Sequence, residues 1–103
     1  MSSLDNLKGV VTPVVTLFKN QEFDKEAMGE HIEFLIENGV NGMLFLGTAG
    51  EVTHMSKSMR EEVTKFCIEK VNKRVPVIIG ISARSKEDCV YYGNYAKNCG
   101  ADA

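Results

Sequence analysis

Short runs of apolar, often β-branched residues alternate along the chain with longer stretches in which apolar residues recur at helical spacing. Such runs are typical of buried strands, and the spaced stretches are typical of amphipathic helices. The runs cover residues 8–16, 43–46 and 75–81, and a spaced stretch follows each of them. This order predicts an α/β fold built from three βα units, with parallel strands and right-handed crossovers. Pro13 lacks an N–H group and therefore suits a strand end or an edge strand.

The first helix is predicted after a polar turn at residues 20–22. Asp24 is a favourable N-cap residue, and Glu26 adds an acidic group in the first turn. The pair Asn38-Gly39 predicts a left-handed cap at the end of the helix. Its apolar positions are Met28, Ile32, Leu35 and Ile36.

Serines are predicted to cap the other two helices. Either Ser56 or Ser58 begins the second helix, and Ser58 has Glu61 at capping-box spacing. Ser85, with Asp88 in the first turn, begins the third helix. The expected buried stripe of the second helix consists of Met59, Val63, Phe66 and Cys67. The third helix carries Tyr91, Tyr92, Tyr95 and Ala96 and is expected to end at Gly100.

Residues 99–103 repeat the helix-stop pattern of residues 38–42, so a fourth strand is expected directly after them. Parallel sheets need cover on both faces, and three strands cannot close a barrel of about eight. The 103 residues therefore have the pattern of the opening third of a larger domain.

Composition and charge exclude several classes of protein. Twelve basic and 14 acidic residues give a net charge of −2, which provides no basic surface for nucleic acid or an anionic membrane. There is no apolar run of about 18 residues and no secretory leader pattern, so the cytoplasm is the expected location. The odd cysteine count fits reduced, wholly or partly buried thiols: Cys67, Cys89 and Cys99.

The loop Gly47-Thr48-Ala49-Gly50-Glu51 follows the second strand, where parallel α/β proteins bind ligands. Its two glycines permit a tight turn, and consecutive N–H groups in such a turn can bind an anion. Thr48 adds a hydroxyl group that can donate or accept a hydrogen bond. The loop matches neither a dinucleotide fingerprint nor a P-loop. A carboxylate or phosphate site and an ordinary βα turn both fit these residues.

Residues 40–51 resemble the signature of the dihydrodipicolinate synthase/N-acetylneuraminate lyase family of class I, Schiff-base aldolases. Residues 9–13, 75–80 and 100–103 resemble the family's first strand, third strand and entry to its fourth strand. The resemblance implies that residues 1–103 are the N-terminal part, about three βα units, of a single TIM (β/α)8 barrel domain.

The resemblance also implies residue roles. Gly47, Thr48, Ala49 and Gly50 would bind the carboxylate of pyruvate or another 2-oxo acid, and Thr48 would be catalytic as part of a proton relay. The family usually has a threonine where this chain has Ala49, which costs one neutral hydrogen bond, about 0.5–1.5 kcal/mol. Glu51 is expected to brace the loop. The family implies no metal or organic cofactor and a homo-oligomer at full length.

Schiff-base chemistry requires a lysine in a desolvated pocket. None of the nine lysines of the chain lies inside an apolar strand. In the family, the nucleophilic lysine is on the sixth strand, which would lie beyond residue 103. The chain is therefore expected to lack the family reaction on its own.

Other readings of these residues remain open. His54 or Arg84 could lie near a ligand, although solvated loop positions suit both, and His31 has no further ligands at zinc spacing. The alternatives in function are a non-enzymatic βα module that binds anions and a sheet fragment completed by a partner. A flavodoxin-like signalling domain is disfavoured because no acidic cluster follows the first strand.

Overall fold

The computed structural model describes residues 11–47, 55–81 and 85–102. In these ranges the chain alternates between strands and helices, with one small hairpin before the first helix. The elements are β1 (Val11–Val14), β2 (Phe18–Lys19), β3 (Glu22–Phe23), α1 (Lys25–Glu37), β4 (Gly42–Phe45), α2 (Lys57–Val71), β5 (Val77–Ile79) and α3 (Lys86–Cys99).

Three parallel strands form the main sheet in the order β1-β4-β5. The expected parallel βα arrangement is confirmed, and Pro13 lies in β1, an edge strand of this sheet as described. The strands are shorter than the apolar runs. Thr16 lies beyond β1, and Leu46 leaves β4 because its backbone turns into the left-handed region with φ +58°.

The hairpin of β2 and β3 was expected only as a polar turn. Asn20 and Gln21 have φ values of +53° and +67°, and a type I′ hairpin turn requires positive φ at both central residues. Glu22 belongs to β3 rather than to the turn. The hairpin buries Phe23, whose ring packs edge-on against Phe66 of α2 with centroids 5.4 Å apart.

The helix caps agree with the sequence except in one choice. Asp24 and Ser85 cap α1 and α3, as expected. Ser56 caps α2 by accepting a hydrogen bond from the Met59 N–H at 3.1 Å, so the capping box of Ser58 and Glu61 is wrong. At the other end, Gly39 and Gly100 have φ values of +79° and +109°, as left-handed caps require.

The core lies between the helices and one face of the sheet. Strand residues at alternate positions, such as Met43 and Phe45, are fully buried against helix residues such as Met28 and Ile32. On the opposite face, Pro13, Leu44 and Ile78 pair side by side, and they are exposed or half-buried. The described helices therefore cover one face of the sheet and leave the other open.

The second helix is rotated relative to the expected apolar face. Met59 and Phe66 are only half-buried. The buried positions of α2 are Arg60, Val63, Thr64, Cys67, Ile68 and Val71. Cys67 is buried and Cys89 and Cys99 are partly buried, as expected.

The amino end of β5 is held by the segment after α3. The Asp102 N–H donates to the Val77 carbonyl at 2.9 Å, and the Asp102 carboxylate accepts from the Val77 N–H at 2.8 Å. Residue 102 thus already pairs beside β5, where a fourth strand was expected.

No helix in the described ranges is long and apolar enough to cross a membrane.

Candidate functional site

The carboxyl ends of β4 and β5 approach each other unusually closely. The Gly80 N–H donates to the Phe45 carbonyl at 2.8 Å. A Cβ atom at Gly80 would overlap the Leu46 carbonyl oxygen and would lie 3.1 Å from the Gly47 Cα. Because both contacts are with backbone, any residue other than glycine would force the two strand ends apart.

The bend that follows β4 is strained. Leu46 has φ +58° although it is not glycine, and its side chain is fully buried. A residue in this region costs about 1–3 kcal/mol and persists only where the surrounding structure holds it. Such outliers cluster at ligand sites. The bend therefore marks the carboxyl end of β4 as a candidate binding site.

Gly47 lies at the open face of the sheet. It is exposed, and a Cβ atom there would lie 2.8 Å from Cδ2 of Leu44, whose side chain belongs to the face that the helices leave uncovered. The chain thus turns back over Leu44 as it leaves the strand. This position at the carboxyl edge of a parallel sheet is where barrel enzymes build their active sites.

The structure places only the first of the expected binding residues. Gly47 lies at the bend, whereas Thr48, Ala49, Gly50 and Glu51 lie outside the described residues. His54 and Arg84 also lie outside them. His31 is a partly buried residue of α1, and the described residues contain no group of three side chains suited to a metal ion.

Arg60 was missed in the sequence and lies beside this site. It is only 4% exposed, and its Nη2 donates to the Gly80 carbonyl at 3.2 Å. Its guanidinium carbon lies 3.9 Å from the centroid of the Tyr92 ring. Burial lowers the pKa of the Arg60 guanidinium, which nonetheless stays protonated at neutral pH.

A signal for Arg60 was present in the helical spacing. Arg60 precedes Val63, Thr64 and Cys67 by three, four and seven residues, so it shares their buried face. An arginine in an apolar stripe indicates a buried cation that needs specific partners.

Two tyrosines of α3 are occupied in packing against α2. The Tyr91 hydroxyl donates to the Glu61 carboxylate, which raises the pKa of Tyr91 to about 12. The Lys57 ammonium lies 4.0 Å from the centroid of the Tyr91 ring, and the Tyr92 ring stacks on Arg60. Both tyrosines therefore belong to the interface between α2 and α3.

The lysines of the described ranges are unsuited to imine formation. Lys70 is half-buried, and the others are exposed. The Lys70 ammonium lies 3.4 Å from the Glu33 carboxylate. A nucleophilic lysine needs a desolvated amine. The described part of the chain therefore offers no such environment.

Consecutive parallel βα units that leave one face of the sheet open define an α/β protein and are typical of part of a (β/α)8 barrel. The sequence matches the model of the Dihydrodipicolinate synthetase family over residues 6–103. The chain belongs to this family, as the resemblance of residues 40–51 indicated.

Named relatives agree with this assignment. The chain is 40% identical over 96 residues to the 4-hydroxy-tetrahydrodipicolinate synthase of Methanocaldococcus jannaschii, covering 93% of this chain and 33% of the relative. It superposes with a TM-score of 0.87 on the dihydrodipicolinate synthase of Aquifex aeolicus, at 33% identity, covering 93% of this chain and 33% of that structure.

A further similar structure contains a bound small molecule. A prophage protein of the dihydrodipicolinic acid synthase family from E. coli K12, crystallised in complex with pyruvate, superposes with a TM-score of 0.88 at 33% identity. The match covers 93% of this chain and 33% of that structure. The chain thus spans about a third of the length of the relatives it matches.

Proposed function

We propose that this chain forms the 2-oxo acid-binding part of a pyruvate-dependent aldolase or lyase, within a single (β/α)8 barrel domain. The loop from Gly47 to Gly50 binds the carboxylate of pyruvate or a similar acid. The observation that carries the proposal is the left-handed bend at Leu46, which brings Gly47 to the open face of the sheet. Family membership and the pyruvate complex of a family member support it.

In this proposal the loop binds through its backbone. N–H groups of a glycine-rich turn offer charge-assisted hydrogen bonds to a carboxylate, and Ala49 keeps its N–H although it lacks a hydroxyl. Thr48 donates and accepts a proton in the relay that serves the reacting carbon. Its hydroxyl suits this role because it has both a proton and free lone pairs.

The imine is formed by a lysine that is not one of the nine in this chain. The described lysines are exposed or half-buried, so none has the desolvated amine that imine formation requires. The protonated imine serves as the electron sink, so the reaction as proposed uses no metal or organic cofactor. The working form is proposed to be a cytoplasmic homo-oligomer.

A chimera tests the proposal. Residues 1–103 are joined to the unmatched two-thirds of the M. jannaschii relative, and the product is treated with pyruvate and borohydride. Mass spectrometry is expected to find one reduced adduct, on a lysine of the relative's part. An adduct on any of the nine lysines of residues 1–103 would contradict the assignment.

The same chimera tests Thr48. Thr48→Val is expected to lower kcat by about 100-fold or more, because a positioned proton donor or acceptor contributes at least that much. Thr48→Ser keeps the hydroxyl and is the matched control. Equal loss of kcat in both variants would remove Thr48 from the relay.

The exposed lysines also favour a second candidate, a non-enzymatic module that binds small anions. This candidate expects the 103-residue chain to bind pyruvate and phosphate equally well and expects the chimera to lack turnover. Trapping of the adduct in the chimera decides against it.

A further inference from the structure

Arg60 links two elements that meet at the candidate site. It belongs to the first turn of α2, and its Nη2 reaches the Gly80 carbonyl directly after β5. A hydrogen bond from a charged donor is stronger than a neutral one. The carboxyl end of β5 is therefore joined to α2 by a partly buried, charge-assisted hydrogen bond.

Gly80 in turn contacts the bend that follows β4. The Gly80 N–H donates to the Phe45 carbonyl at 2.8 Å, and the space for a Gly80 side chain is filled by the Leu46 carbonyl. Gly47 follows at once. A displacement of Gly80 therefore changes the position of the Leu46–Gly47 peptide, which bears the first N–H group of the loop.

An arginine side chain suits the contact with Gly80 and Tyr92 better than a lysine side chain would. A guanidinium group is planar, so it can stack on the Tyr92 ring while its edge donates to the Gly80 carbonyl. An ammonium group has no flat face and loses more hydration when it is buried. The packing on Tyr92 thus fixes the direction in which Arg60 donates.

We propose that Arg60 is a positioning residue of the candidate site. It holds the carboxyl end of β5 against that of β4 and thereby sets the geometry of the bend that leads into the binding loop. The contact chain runs from Arg60 through Gly80 to Phe45 and Leu46. The consequence for ligand binding rests on the proposed function, whereas the consequence for the bend does not.

Amide hydrogen exchange of the 103-residue chain tests the bend directly. Arg60→Met keeps much of the apolar volume and removes the donor. The Gly80 amide is expected to exchange about tenfold faster, since a local opening of this size follows from loss of one charge-assisted bond. The Met43 amide, bonded to the Pro76 carbonyl at the other end of the sheet, is expected to keep its protection. Equal acceleration of both amides, or of neither, would overturn the proposal.

Arg74→Met is the matched control. Arg74 also donates to backbone carbonyls, those of Lys70 and Val71, but it lies before β5. Its loss is expected to leave the Gly80 exchange rate within about twofold of wild type, because the contacts are far from the bend.

Arg60→Lys keeps the charge and provides a milder variant if Arg60→Met is unfolded. Gly80 protection in Arg60→Lys equal to wild type would show that charge alone, and not the guanidinium geometry, is required, which contradicts the proposal.

Pyruvate binding tests the consequence for the site. The Kd of pyruvate for the 103-residue chain is measured well below the unfolding temperature. It is expected to rise about fivefold or more in Arg60→Met, because the ligand contact is displaced but not removed. It is expected to stay unchanged in Arg74→Met. If wild type binds no pyruvate, the proposed function fails and the exchange data alone decide the role of Arg60. If wild type binds and Arg60→Met binds equally well, the positioning role fails.

Discussion

The two ends of the β5 strand are held in different ways. Before β5, exposed Arg74 pairs with Glu33 through two bonds of 2.8 Å, and Asp102 pairs with the first residue of the strand. After β5, a buried arginine, a glycine without room for a side chain and a left-handed leucine meet. Left-handed residues occur near both ends, Asn72 and Lys73 before β5 and Leu46 beside its carboxyl end. The amino end uses surface pairs, whereas the carboxyl end has a buried charge and backbone packed directly on backbone. This difference sets the end of the sheet that carries the candidate site apart from the opposite end.

The largest effect is expected at Gly80. Gly80→Ala places a Cβ atom against the Leu46 carbonyl, so it should lower the free energy of unfolding by about 3 kcal/mol, as overpacking against rigid backbone does. Urea unfolding measures this loss. Gly93→Ala is the control, because its Cβ atom would meet only the Ile81 side chain at 3.8 Å and alanine favours a helix interior. Equal stability of the two variants would show that the backbone contact at Gly80 tolerates a side chain, which contradicts the close packing assigned to the carboxyl end.

A smaller effect is expected at the amino end. Asp102→Ala removes the acceptor of the Val77 N–H and should cost about 1.5–2 kcal/mol, the lower part of the range for a hydrogen bond to a charged group. Asp102→Asn keeps an acceptor oxygen and should cost less. Hydrogen exchange is expected to accelerate at Val77 and not at Gly80. Acceleration at Gly80 as well would show that the two ends act as one unit.

The smallest effect is expected on stability at low pH. The hydrogen bonds from Arg74 lower the pKa of Glu33 from 4.5 to about 2. A carboxylate with a lowered folded pKa stabilises the protein fully above its unfolded pKa and progressively less as the pH falls towards its folded pKa. The difference in urea midpoint between wild type and Glu33→Gln should therefore shrink between pH 4.5 and pH 2. Glu30→Gln, an exposed position on the same helix, is the control. A constant difference over this range would contradict the assigned pair.

The sequence predicted the parts of the fold that depend on local pattern. Asp24 and Ser85 are correct caps because a side-chain oxygen before an apolar stripe meets the needs of a helix start. The hairpin at Asn20 and Gln21 was missed because no glycine marks its positive φ angles. Ser58 was a false cap candidate because Ser56, two residues earlier, accepts the capping bond from the Met59 N–H. Glu61 instead pairs with Tyr91 of another helix, a contact between distant residues.

The candidate site was predicted only in part. The glycines of the loop indicated a tight turn after the second strand, and Gly47 does lie at such a bend. The contact between Gly80 and Leu46 joins residues 34 positions apart in sequence, so it depends on strand pairing that local pattern cannot specify. The roles of Thr48, Ala49 and Gly50 stay predictions.

An NMR titration of the 15N-labelled chain with pyruvate tests the carboxylate-binding bend most directly. Saturable shifts are expected at the amides of Gly47 and the residues after it, with little change at Val77, and methyl pyruvate, which lacks the carboxylate, should produce none of them. Shifts centred elsewhere, or equal shifts with the ester, would contradict the account.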